Sequence, residues 1–295
     1  MYVVLLLSCT EPGDLDYTLP PEEEDDSSVA ESAPPDSDDL GDPCAYEAGV
    51  QKGTVESAEL GEISGLAPMQ DYVWVHNDSD NEGLMYAMEV DGSHVGTAWI
   101  EDYLLIDPED SARGDGKLYL GDIGDNGENR EFIRVFRFPE PEPDFAVGQL
   151  ESFHITYPDG PHDAEAMAVD KDGSLFIITK SASGDSGIYK LAAPLTDGEL
   201  EKVGSLTVGS GDLPGGTGVT SADADDTRVV LRTYTHLFLW PRLGRTLDEA
   251  ISTPPACSID IESEPQGEAV ALNKAGFLTV SEGENQPIWF YKKSD

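Results

Sequence analysis

PHDAEAMAVDKDGSLFIITK, residues 161–180, reads as one complete hairpin unit. A polar lead (His162, Asp163) is followed by a carboxylate (Glu165), a short apolar run (167–169), a turn (170–173) and a β-rich run (174–179). Asp172-Gly173 supplies residues that tolerate positive φ in a tight hairpin turn. The aliphatic and aromatic side chains after it suit a pleated, buried strand. The acidic residue lies at the mouth of the hairpin.

Four other segments repeat this unit. Ser64, Glu109, Glu165, Thr220 and Glu268 each open a short run of small and apolar residues, and successive leads lie 45, 56, 55 and 48 residues apart. That interval suits a four-stranded propeller blade of about 40 to 50 residues with loop insertions. Each lead has a second run behind it (72–76, 117–121, 174–179, 228–234, 277–281) and a third run with aromatics (84–90, 132–138, 187–191, 236–240, 287–291). A fourth run appears in the first four copies (96–100, 151–157, 201–208, 256–261). The fifth copy has three, and residues 49–56 lack a partner of their own. Using 49–56 as the fourth strand of the last blade closes the ring and removes an open sheet edge. The pattern therefore predicts an all-β, five-bladed β-propeller closed by an N-terminal strand. A six-bladed ring with one degenerate blade and a pair of β-sandwiches are the alternatives. No long stretch carries the apolar period of a helix.

Cys44 precedes the closing strand and Cys257 falls in the outer strand of the neighbouring blade, so a disulfide between them would pin the closure. Two separate thiols are the alternative. The first nine residues, MYVVLLLSC, end in Leu6-Leu7-Ser8-Cys9, which resembles the bacterial lipobox, where a signal peptide is cut before a cysteine that then carries lipid. The run has no Lys or Arg ahead of it and is short, a departure that an upstream start would account for. Thr10 after the cysteine resembles the outer-membrane pattern. Residues 10–43 hold 13 acids, no Lys or Arg, and hardly any aliphatic side chain, the composition of a disordered, extended tether. The expected organisation is signal peptide with lipobox (1–9, lipidation at Cys9), tether (10–43) and propeller (44–295) of an exported, cell-envelope protein.

The chain carries 59 acids against 17 bases, a formal charge of -42, which argues against nucleic acid or an anionic lipid surface as a ligand. A monomer that meets the membrane through its lipid alone, and binds a small-molecule, glycan or protein ligand, is expected.

In a propeller blade the loop entering the innermost strand and the loop after the second strand lie on one face. That places Glu109, Glu165 and Glu268 around one channel mouth with Ser64 and Thr220. The ends of the second runs bring His76 with Asn77-Asp78, Asp122 with Asp125-Asn126, Lys180, Arg232 with Tyr234, and Glu282. Carboxylates converging in a narrow mouth either take up protons or hold a cation. An oxygen-only set built from Glu109, Glu165, Glu268 and Asp122 suits Ca²⁺. The alternative is that these glutamates accept backbone N–H bonds from neighbouring blades and hold the ring together. Lys180 and Arg232 suggest an anionic ligand group beside the ion, or else ion pairs with adjacent acids. His76 is a candidate general base near neutral pH, or a hydrogen-bonding residue. The Asx-rich loops 77–81 and 122–127 lack EF-hand spacing, and no Gly-x-Ser-x-Gly elbow, P-loop or dinucleotide fingerprint is present.

The segments LYLGDIGDN (118–126), VFRFPEP (135–141), PDGPHDAEAMAV (158–169), 230–240 and 266–283 resemble a group of secreted bacterial propeller lipoproteins, across most of residues 60–291. The Glu-Ala leads at Glu165 and Glu268 are distantly similar to the esterase-like-phytase propellers. The Trp-Asp and Gly-His marks of WD repeats are absent. The resemblance implies fold and export more than activity. Two functions follow as expectations. One is a binding module with Ca²⁺ and a ligand at the acidic mouth, the ligand touching His76, Lys180, Arg232, Tyr234 and Glu282. The other is a Ca²⁺-dependent hydrolase acting on phosphoesters or glycosides there. A scaffold using its outer strands is a third reading.

Overall fold

A computed structural model describes residues 42–78, 82–181, 183–209 and 217–294. Cys9, the lipobox and nearly all of the tether lie outside the described residues. The chain forms a five-bladed β-propeller. The first strand, β1 (Val50–Thr54), stands apart from the blade that follows it. That first blade is β2 (Ile63–Pro68), β3 (Val73–Asn77), β4 (Leu84–Met88) and β5 (His94–Trp99). The second is β6 (Pro108–Gly114), β7 (Lys117–Asp122), β8 (Ile133–Pro139) and β9 (Glu151–Thr156). The third is β10 (Ala164–Val169), β11 (Leu175–Thr179), β12 (Asp185–Leu191) and β14 (Glu201–Thr207), with the two-residue β13 (Gly198–Glu199) pairing back in parallel onto β9. The fourth is β15 (Val219–Ala224), β16 (Arg228–Thr233), β17 (His236–Pro241) and β18 (Cys257–Asp260), with the short helix α1 (Leu247–Ile251) between the last two. The fifth is β19 (Gly267–Asn273), β20 (Gly276–Ser281) and β21 (Pro287–Lys292), completed by β1, which runs antiparallel to β21.

The innermost strands are flanked by sheet on both faces, so those of the first, third and fifth blades are apolar or small almost throughout rather than alternating, whereas β6 buries Glu109 and Asp110. The core divides into five apolar clusters, one per seam between neighbouring blades. The seam that closes the ring packs Leu66, Val75 and Met88 of the first blade on Ala271, Leu278 and Ile288 of the fifth. A closed set of five seams leaves no place for a sixth blade. Cys44 is disulfide-bonded to Cys257, with Cα atoms 6.0 Å apart, tying the segment before β1 to the outer edge of the fourth blade. A bridge of this kind stabilises by about 2 to 4 kcal/mol.

One irregularity recurs in all five blades. The pairing of first and second strands slips by one residue at Ser64, Glu109, Glu165, Thr220 and Glu268. A bulge leaves one residue unpaired and re-aims its side chain. The five leads found in the sequence are those bulged residues.

Candidate functional site: an acidic channel mouth

Because each lead is bulged at the same point, Ser64, Glu109, Glu165 and Glu268 line one cavity of about 210 Å³. The first hairpin continues one pair past the strands: Asp78 N–H donates to Glu62 O at 2.7 Å. Lys180 N–H donates to Asp163 O and Glu282 N–H to Gln266 O, both at 2.9 Å. These extra pairs carry Asp78, Lys180 and Glu282 to the mouth, and Tyr234 holds the equivalent place in the fourth blade. Asn126, Lys180 and Tyr234 are shared with a neighbouring hollow of about 520 Å³.

The same register separates the expected residues. His76 and Arg232 lie two residues before Asp78 and Tyr234, opposite Gly65 and Ser221, and their side chains enter the blade seams. Arg232 is therefore not a rim residue equivalent to Lys180. It is fully buried, donates to Ala269 O at 2.7 Å and pairs with Glu264. Burial lowers its pKa to about 10, against the opposing charges of Glu268 and Tyr291. Any side chain at Gly267 would strike this guanidinium. His76 is 1 % exposed, with Nδ1 3.0 Å from Asn77 O and its ring against Gly65. It does not reach the cavity as a base.

Asp122 is also behind the mouth rather than in it. It is the last residue of its strand, the position held by Thr179 and Ser281 in other blades. Its Oδ1 accepts the N–H groups of Ile106 and Asp107 at 3.1 and 2.9 Å and lies 3.0 Å from Arg130 Nη2. Asp122 thus holds the loop that presents Asp107.

Two acids that the sequence reading did not place as ligands complete the site. One oxygen each of Glu109, Asp163 and Glu165 lie within 4.8 Å of one another, and so do oxygens of Asp78, Asp107 and Glu109. Asp107 and Asp163 stand two residues before their leads, as Glu62 and Gln266 do in other blades. An acid two residues ahead of an acidic lead was the legible signal. Glu268 lines the cavity but belongs to neither group; its Oε1 accepts from Gln266 Nε2 at 2.9 Å. Glu282 accepts from the same amide.

The electrostatics are those of an under-compensated acidic pocket. Burial, then repulsion from Glu165, Asp78, Asp107 and Asp163, drives the Glu109 carboxyl well above its usual range. Burial pushes Glu165 up to about 8; Lys180 opposes this and Glu268 adds to it. Asp107 rises to about 6 through burial and the nearby Asp78. Burial also raises Glu268, and raises Tyr234 to about 12. Burial works against the Lys180 ammonium but is outweighed by the Glu165 carboxylate, so its pKa rises. Lys180 Nζ pairs with Glu165 Oε1 and donates to Tyr234 Oη at 2.8 Å. The other oxygen, Glu165 Oε2, is buried without a hydrogen-bond partner among the described residues.

The fold and site define a five-bladed β-propeller with an acidic channel mouth. Solved structures similar to it include a glutaminyl cyclase from Myxococcus xanthus (TM-score 0.52, 10% identity, covering 84% of this chain and 98% of that one). A putative exo-β-1,3-galactanase from Bifidobacterium bifidum gives a TM-score of 0.50 at 14% identity, covering 83% and 94%. The calcium-binding protein regucalcin from Agrobacterium tumefaciens gives 0.44 at 12% identity, covering 79% and 77%. At these identities the likeness is one of fold. No protein-family model and no curated protein matches the chain.

Proposed function

We propose that the protein is a binding module whose channel mouth holds Ca²⁺ between Glu109, Asp163 and Glu165, and through it a small or polymeric ligand. The observation that carries this reading is Glu165 Oε2, an acceptor without a hydrogen-bond partner among the described residues, in a residue 6 % exposed that groups with the carboxylates of Glu109 and Asp163. A buried acceptor left unpaired costs about 1 to 3 kcal/mol, and more if charged. A hard cation removes that cost and the mutual repulsion together. The adjoining hollow, walled by Asn126, Lys180, Thr217 and Tyr234, offers amide, ammonium, hydroxyl and aromatic contacts to a ligand held on the ion. The hydrolase reading set Lys180 with Arg232 beside a mouth Ca²⁺; Lys180 lines the mouth, but Arg232, like the candidate base His76, lies in a blade seam. The geometry therefore favours binding. The -42 charge supports a ligand other than nucleic acid.

Within the same proposal, lipid on Cys9 anchors a monomeric propeller to the cell envelope, in the outer-membrane position that Thr10 suggests, with residues 10–43 as its tether. A lipid mass increment at Cys9 that is absent in Cys9→Ala checks the anchor. Thermal unfolding of the full chain in Ca²⁺ and in chelator tests the site. Ca²⁺ is expected to raise the midpoint in the wild type and not in Glu165→Gln. Equal midpoints for the wild type in the two conditions would sink the cation reading.

A further inference from the structure

We infer that the propeller has a second ligand site, at the opposite ends of its strands from the mouth, for an organic anion that carries one carboxylate on an apolar body. The site is a hollow of about 600 Å³ between the fourth and fifth blades, walled by Pro43, Leu239, Pro241, Leu243, Lys274 and Lys293. β16 leads from Arg228 in this hollow to Thr233, beside Tyr234 of the mouth. A strand of that length spans about 20 Å, so the two cavities are separate.

Charge selects the ligand. Among the described residues, Lys274 and Lys293 are the two bases whose side chains make no hydrogen bond, ion pair or ring contact, and both stand on this wall. The charges beside them are already committed. Arg228, 6 % exposed, donates to Asn273 O at 2.7 Å and to Gly276 O at 3.0 Å, and pairs with Asp225. Asp225 Oδ1 also accepts Thr227 N–H at 2.8 Å. That leaves Asp226 against two ammoniums, a local excess of positive charge in a chain of net charge -42. At about 0.15 M salt, charges more than about 8 Å away are largely screened, so the local pair sets the field that a small anion meets.

The apolar wall is held in place before anything binds. Leu243 is 54 % exposed at a φ of 49°, and Gly244 follows at 82°. Arg245 N–H donates to Arg242 O at 2.8 Å, closing a tight turn whose two central residues both have positive φ. Asn, Asp or Gly is the usual first central residue of such a turn, so a leucine displayed there is unfavourable for the fold alone. Arg245 Nη2 donates to Pro241 O at 2.8 Å and Arg242 Nη2 to Arg245 O at 3.0 Å, which fixes the turn. On the other side the disulfide ties Cys44, next to Pro43, to Cys257, which pairs with Leu239 in the sheet. A preformed apolar cavity of this size with a few charged groups is the usual form of a small-molecule site.

The test is calorimetric titration of the full chain with octanoate at about 0.15 M salt. One octanoate per chain is expected, bound about tenfold or more tighter than octanol, which lacks the charge, and than acetate, which lacks the body. The double variant Lys274→Gln, Lys293→Gln should weaken it about tenfold. Leu243→Asn, which suits the turn and so keeps the fold, should weaken it about threefold or more. Glu165→Gln and chelator should leave the affinity unchanged. Absence of saturable binding, equal binding of octanol, or an affinity unchanged in both the lysine and the leucine variants would overturn the proposal. A loss in Glu165→Gln would put the octanoate at the mouth and also overturn it. So would a dimer in sedimentation that excludes octanoate and is lost in Leu243→Asn, because it would assign this face to a second copy of the chain.

Discussion

Glu109 and Asp110 are neighbours in the chain, both buried carboxylates on β6, and they have opposite surroundings. Glu109 faces the mouth among acids, with Ser64 Oγ at 3.3 Å from Oε2 as the one donor to its carboxylate among the described residues. Asp110 turns the other way and crosses the channel. Its Oδ2 accepts Met167 N–H of the third blade at 2.8 Å and Ala222 N–H of the fourth at 3.2 Å. Its Oδ1 accepts Ser111 N–H at 2.9 Å and Ser221 Oγ at 3.1 Å. Burial is the largest upward influence on both carboxyls. At Asp110 the amides and the serine hydroxyl oppose it, whereas at Glu109 neighbouring carboxylates reinforce it. Asp223 repeats the floor pattern by accepting Leu272 N–H at 2.7 Å, and Asp170 by pairing with Arg242 and accepting Leu247 N–H at 2.8 Å. The difference separates two jobs that composition alone merges. Acids of the floor bind the blades to one another, and acids of the mouth face one another.

Substitutions at the two levels should therefore behave in opposite ways. The largest effect is expected at the floor. Asp110→Ala strands three backbone N–H groups and should cost about 3 kcal/mol or more in denaturant unfolding, equally with and without Ca²⁺. A loss that Ca²⁺ rescued would dissolve the distinction between the levels. Next comes the closure: Cys257→Ser should cost about 2 to 4 kcal/mol, also independent of Ca²⁺. In chelator, Glu165→Gln should leave stability unchanged or raise it while removing the Ca²⁺-induced shift; a loss as large as that of Asp110→Ala would assign Glu165 to the framework.

The remaining expectation is a pH dependence. Glu165 holds its proton up to about 8 in the folded chain and loses it near the ordinary 4.5 when unfolded. The folded state thus binds the proton more tightly, a contribution present in full below about 4.5 and lost as pH rises through about 8. In chelator, the midpoint difference between wild type and Glu165→Gln should shift against the wild type across that window. Ca²⁺ competes with the same protons, so its affinity should rise over the same range. A Ca²⁺ affinity that is flat from pH 5 to 9 would separate the ion from Glu165.

The blade count, the closing strand and the five leads were legible because bulge, apolar run and turn recur at a regular interval. The roles of individual second-strand residues were not, because they depend on register. A shift of two residues along β16 takes Tyr234 to the mouth and Arg232 into the seam between the fourth and fifth blades. Asp122 was misplaced for a related reason: the second-blade hairpin puts Gly124, whose N–H donates to Asp107 O at 3.0 Å, where Lys180 and Glu282 stand in theirs. The floor carboxylates carry no local mark at all. Asp110 makes its contacts with residues far along the chain, and only the closed ring brings Met167 and Ser221 to it.

The central claim is that the mouth carboxylates hold Ca²⁺. A crystal structure of the protein grown with Ca²⁺, with anomalous differences recorded at long wavelength, tests it most directly. The expected result is anomalous density among Glu109, Asp163 and Glu165, with Asp110 still bound to the amides of Met167 and Ala222. Water alone at the mouth, or ions bound only elsewhere, would contradict it.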